Sequence, residues 1–266
     1  MSKLIALGLA LALVIVVAPP ASGAAAGYSG LAAQLLADPS AVVRDATGRP
    51  ISVFDLPATE ARIILLPVGR DRPLPAGYEP PDLTWAAGRP VRQVAVDDLR
   101  AMIDAAAADG VDLAPISGYR SPDEQAAAYE SSIRRAIDRS GGTIDRAEAE
   151  ARAARFVAPL GHSQHQLGTA VDFSTWEIGY AIQPRFEDTT ASRWLAARGW
   201  EYGFVLPYPR DKEARTGYTY EPWHWRWIGR TLAAALWRDG YVGHPEHVVD
   251  DYLRAVEEIL DAEAVP

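Results

Sequence analysis

The chain has 266 residues, a net charge of −9, 48% apolar and 23% charged residues, and no cysteine. That length is enough for one sizeable core, while the acidic balance and the lack of a long basic block exclude a broad nucleic-acid surface. Without cysteine there is no disulfide, thiolate site, cysteine nucleophile or lipid-modified cysteine, so any metal must take nitrogen and oxygen ligands.

The amino terminus reads as a targeting signal over residues 1–26. Lys3 precedes an uninterrupted apolar run from Leu4 to Ala18, which as a helix would reach about 22 Å, short of the ~30 Å hydrocarbon core. Pro19 and Pro20 end it, and the small residues Ala21 to Ala24 form a cleavage region. An uncleaved membrane anchor is the competing reading, and either one makes the remainder secreted or extracytoplasmic. Residues 27–71 read as a small β-containing extension, with β-like runs at Ala41 to Arg44, Ile51 to Phe54 and Arg62 to Leu66. The main domain is assigned to residues 72–266. Its Pro- and Gly-rich start, Arg72 to Arg89, reads as an ordered wrapping loop packed down by Tyr78, Leu83 and Trp85.

Next, Leu99, Met102, Ile103 and Ala106 recur at helical spacing before a stop at Gly110. Val111 to Ile116 predicts a strand running into Ser117-Gly118-Tyr119-Arg120. Ser121 and Glu124 form a capping box around Pro122, and the helix they start runs to about Ser140; Asp145 and Glu148 start another. Arg120 thus falls between a strand end and a helix start, where it would clamp a carboxylate or make a structural ion pair. Gln125, a turn into the helix, faces the same cleft or solvent. Further on, Trp194 to Ala197, Ile228 to Arg238 and Val249 to Leu260 predict helices. The expected fold is α+β, a small mostly antiparallel sheet flanked by helices with a metal at its surface.

The chemistry concentrates in two stretches. His165 and Asp172 lie on GHSQHQLGTAVDF (Gly161 to Phe173), with Val171 and Phe173 placing the aspartate at the edge of a core strand. An unpaired charge there is costly, and a metal removes the cost. His224 lies on EPWHWR, three residues after Glu221. Two histidines and one carboxylate make a three-ligand zinc set with an open fourth position, and Glu221 is the candidate base for water there. In a regular strand Glu221 and His224 would face opposite sides, so Pro222 must mark a bend. His162 reads as a non-ligand, and His244 with His247 lacks a third partner. The same set would also suit a ferrous-iron oxygenase.

Taken together, SGYRSPDEQ (Ser117 to Gln125), SQHQLGTAVDF (Ser163 to Phe173), YGFVLPYP (Tyr202 to Pro209) and TGYTYEPWHWR (Thr216 to Arg226) resemble the signature blocks of VanY-type D-alanyl-D-alanine carboxypeptidases. The resemblance spans roughly Arg72 to Gly240. It implies that His165, Asp172 and His224 bind Zn2+, that Glu221 is the catalytic base, and that Arg120, Gln125 and Ser163 hold the substrate's terminal carboxylate and nearby backbone. The implied partner is a peptidoglycan stem peptide or precursor, with contact to a membrane only through an uncleaved amino-terminal segment; the sequence gives no oligomeric state. A D-Ala-D-Ala dipeptidase, an LD-carboxypeptidase and a non-catalytic wall-binding module share the pattern. Gln164 stands where the family often has Glu, and Arg198 where it often has Asn; the expectation is that neither touches the ligands.

Overall fold

The computed structural model describes residues 58–238 and 248–263. The expected signal peptide, the runs at Ala41 to Arg44 and Ile51 to Phe54, and His244 with His247 lie outside these residues. Among them, no helix is long and apolar enough to cross a membrane.

The first element corrects the sequence reading. Arg62 to Leu66 is not a strand: Ala58–Ile64 forms a helix, α1. Ala61, Ile64 and Leu65 are all buried, so the stripe that decides the matter has helical rather than alternating spacing. Ile64 and Leu65 join the main hydrophobic core. The wrapping loop also contains more order than expected, because β1 (Leu83–Ala86) and β2 (Arg89–Arg92) pair as an antiparallel hairpin. Its turn, Ala87-Gly88, has φ of 47° and 79°, the twist that two-residue hairpins need but rarely obtain from alanine. Trp85 does not pack the segment down, being 68% exposed. Tyr78 does, against Val68, Leu74 and Leu167.

Two of the helices open on the capping signals read from the sequence. α2 is Val96–Ala108, and its buried Asp98 accepts hydrogen bonds from Trp227 Nε1 (2.8 Å) and Arg230 Nε (2.7 Å). After β3 (Ala114–Ser117), α3 (Pro122–Arg139) opens with the expected capping box: Ser121 Oγ accepts from the Glu124 amide and Glu124 accepts from the Ser121 amide. α4 (Arg146–Ala153) is capped by Asp145. Then come β4 (Ala170–Ser174), α5 (Thr190–Arg198), β5 (Phe204–Val205), short α6 (Glu213–Thr216), β6 (His224–Trp227), α7 (Arg230–Arg238) and α8 (Val249–Glu263).

The main sheet has the antiparallel order β3-β4-β6-β5, so the α+β expectation stands. Val171, Phe173, Trp225 and Trp227 face a core shared with Leu99 and Met102 of α2, Leu195 of α5 and Leu232 and Leu236 of α7. Strand alternation then turns Asp172, His224 and Arg226 to the opposite face.

Candidate metal centre

The register of the sheet builds the site. Asp172 on β4 stands directly opposite His224 on β6 and, on its other side, Ser117 on β3. His165 comes from the single 3₁₀ turn Gln164–Leu167 just before β4. Gly168, at φ 74°, then reverses the chain into the strand; a Cβ there would press at 3.1 Å on both Arg92 and Leu83. Glu221 precedes β6 across a tight turn in which the His224 amide donates to the Glu221 carbonyl (3.0 Å). The bend expected at Pro222 is therefore present, and it brings Glu221 to the same side as His224.

One ligand atom from each of His165, Asp172 and His224 lies within 4.8 Å of the others, and all three residues are buried. His165 Nε2 is 3.2 Å from Asp172 Oδ2, His224 Nδ1 is 3.0 Å from Asp172 Oδ1, and the rings meet edge to face at 4.9 Å. Each histidine's other nitrogen faces an acceptor: Gly118's carbonyl for His165 Nδ1 (2.7 Å), Gln164 Oε1 for His224 Nε2 (3.1 Å). Converging donors with their far sides anchored are what a tetrahedral zinc site with an open position requires, so this N₂O set fits the ion.

The electrostatics agree. Burial pushes Asp172's carboxyl up, but the neighbouring His165 and His224 rings outweigh it and hold the group well below the usual carboxylate range. Burial lowers His224 to about 4, against the pull of Asp172, so its ring is neutral at pH 7 and keeps a lone pair for a metal. Burial and then Asp172's charge push Glu221 well above its ordinary value, with Arg120 pulling the other way.

These residues share one cleft of about 190 Å³ lined by Arg120, Ser163, Asp172, Glu221, Tyr208 and His224 among others. Among the described residues no carboxylate forms an ion pair with Arg120. Instead its guanidinium donates to Gln125 Oε1 (3.0 Å) and Ser117 Oγ (3.4 Å). Gln125 is fully buried behind it rather than on the cleft wall. Ser163 lines the cleft, its Oγ accepting from the His165 amide (3.3 Å). His162 lies outside the cluster and meets the Gly69 carbonyl (2.8 Å).

Two features were not foreseen. Tyr208, from the YGFVLPYP block, stacks on His224 at 5.1 Å. Gln164, expected to stay clear of the ligands, touches His224 directly, because the 3₁₀ turn packs consecutive residues around one centre. Arg198 does stay away, pairing with Asp109 and Glu201.

The sequence profile of VanY D-alanyl-D-alanine carboxypeptidases matches residues 88–230, more than half of the chain. The chain belongs to this family. A D-alanyl-D-alanine carboxypeptidase of Enterococcus faecalis (strain ATCC 700802 / V583) is 33% identical over 176 residues, covering 66% of this chain and 62% of the relative. Thus the chain spans less than two thirds of the length of such curated relatives. Among solved structures, the LdcB LD-carboxypeptidase superposes with a TM-score of 0.61 at 30% identity, over 73% of this chain and 87% of that one. A vancomycin-resistance VanY D,D-pentapeptidase, a glutamate-to-alanine variant in complex with Zn(II), gives 0.60 at 30% identity over 72% and 99%. Zinc is the ion this family member and this donor set have in common.

Proposed function

We propose that the protein is a zinc-dependent carboxypeptidase that removes the terminal D-alanine from peptidoglycan stem peptides outside the cytoplasm. The observation that carries the proposal is a single cleft holding the His165, Asp172 and His224 set, the Glu221 carboxylate and the Arg120 guanidinium together. The apolar run after Lys3 supports the location.

Zinc held by His165, Asp172 and His224 would polarise the scissile carbonyl and acidify the attacking water. Glu221 takes that water's proton and passes it to the departing D-alanine amine, a role worth roughly a hundred- to ten-thousand-fold in rate. Arg120, fixed by Gln125 and Ser117, receives the substrate's free carboxylate in a charge-assisted pair. Selection of chain ends over internal bonds follows from that contact. Tyr208 and Trp223 line the same cleft. Glu221 also has a job here that a ferrous-iron oxygenase would not give it.

An LD-carboxypeptidase is the second reading, favoured by the likeness to LdcB. Replacing Glu221 with Ala tests the role of the base. The variant should keep its zinc and lose turnover on either peptide; substantial residual activity would remove Glu221 from the chemistry.

A further inference from the structure

Behind the metal centre runs a strap of backbone that lies upstream of the family-matched residues 88–230. From Ile64 to Gly69 its carbonyls meet side chains around the site in turn. Arg226, fully buried two residues after His224 and on the same face of β6, donates to the carbonyls of Ile64 (2.8 Å) and Leu66 (2.7 Å). Gln164 Nε2 donates to the Val68 carbonyl (3.3 Å), and His162 Nδ1 meets the Gly69 carbonyl (2.8 Å).

The Val68 contact has a chemical consequence. Gln164 is 1% exposed, so no solvent substitutes for its partners. A peptide carbonyl can only accept, which commits the NH₂ of Gln164 to Val68; turning the amide round would set oxygen against oxygen. The Gln164 oxygen therefore faces His224 Nε2 at 3.1 Å, and as an oxygen it too can only accept. Nε2 must then carry the ring's hydrogen, which leaves the Nδ1 lone pair directed at Asp172 and the metal position. A carboxylate at residue 164 would keep the acceptor toward His224 but would meet Val68 with no donor. This gives a reason for glutamine here.

We propose that Gln164 is a positioning residue that selects the metal-binding tautomer of His224, and that the Val68 carbonyl of the upstream strap sets Gln164. The proposal rests on His224 being a zinc ligand. The test measures zinc affinity of the full chain by chelator competition for wild type, Gln164→Met, Gln164→Glu and His224→Ala. Gln164→Met, similar in shape without hydrogen bonds, should weaken zinc by about 10- to 100-fold, and Gln164→Glu should recover most of that loss. His224→Ala should weaken zinc further than either; if it binds zinc like wild type, the ligand assignment itself fails. If His224→Ala loses zinc while Gln164→Met retains wild-type affinity, only the positioning role fails. Nitrogen NMR of the zinc-loaded wild-type protein provides a readout that needs no variant to fold. It should show the His224 hydrogen on Nε2, and a hydrogen on Nδ1 would overturn the proposal.

Discussion

Gly118→Ala probes how tightly the metal centre is wedged against the β1–β2 hairpin. A Cβ at residue 118 would sit 2.5 Å from the Pro90 carbonyl oxygen and 3.1 Å from Arg89 Cβ. Both neighbours belong to β2, so no flexible side-chain end can swing aside. A normal carbon–oxygen contact of about 3.3 Å requires the strand to retreat by roughly 0.8 Å. The same Pro90 oxygen accepts from the Tyr119 amide at 2.7 Å, and that retreat stretches the bond toward its limit. Losing it costs about 1 kcal/mol and the overpacking about 1–3, so the expected destabilisation is about 2–4 kcal/mol. The Gly118 carbonyl also orients His165 through Nδ1 (2.7 Å), so zinc affinity should fall by about tenfold or more. Urea unfolding of the metal-free protein measures the first effect and chelator competition the second. A stability change below about 0.5 kcal/mol with unchanged zinc affinity would refute the wedge.

Arg226→Met should destabilise the protein by about 2–4 kcal/mol in urea unfolding, because two buried carbonyls lose their donor. Its deficit should grow with pH. Burial raises buried Asp250 to about 6, with Arg226 opposing; the folded state therefore takes up a proton more readily than the unfolded one, and stability falls as pH rises toward 6. Without Arg226 that fall continues to higher pH, and a deficit independent of pH between about 4 and 8 (about two units either side of the shift) would contradict the influence of Arg226 on Asp250. Arg120→Ala should lower kcat/KM by roughly 10- to 100-fold, the worth of a charged hydrogen bond, with zinc affinity kept. It should also erase the preference for a free carboxylate over a carboxyl-terminal amide; retained discrimination would place the carboxylate elsewhere.

The parts of this protein legible in its sequence are those set by local chemistry. Ser121 with Glu124 and Asp145 with Glu148 fixed two helix starts because a cap is a contact between near neighbours. His165, Asp172, Glu221 and His224 could be named from residue type and context, and Pro222 showed how the last two could meet. What failed needed long-range information. α1 was hidden because Ile63 to Leu66 is a β-like run, and its helical stripe shows only once the core it faces is known. Ala87 gave no turn signal, since its positive φ is imposed by pairing of the flanking strands. Gln125 was read from its place in the helix and Gln164 from its departure from the family pattern, and each became intelligible through a partner far away in the chain: the Ala158 carbonyl for one, the Val68 carbonyl for the other.

The most direct measurement incubates the protein lacking residues 1–26 with pentapeptide and tetrapeptide wall precursors, with and without a chelator, and follows the masses. The account predicts loss of one alanine from the pentapeptide, abolished by the chelator and restored by zinc. Loss from the tetrapeptide alone would move the specificity to LD. Zinc-loaded protein that leaves both peptides intact would contradict the account.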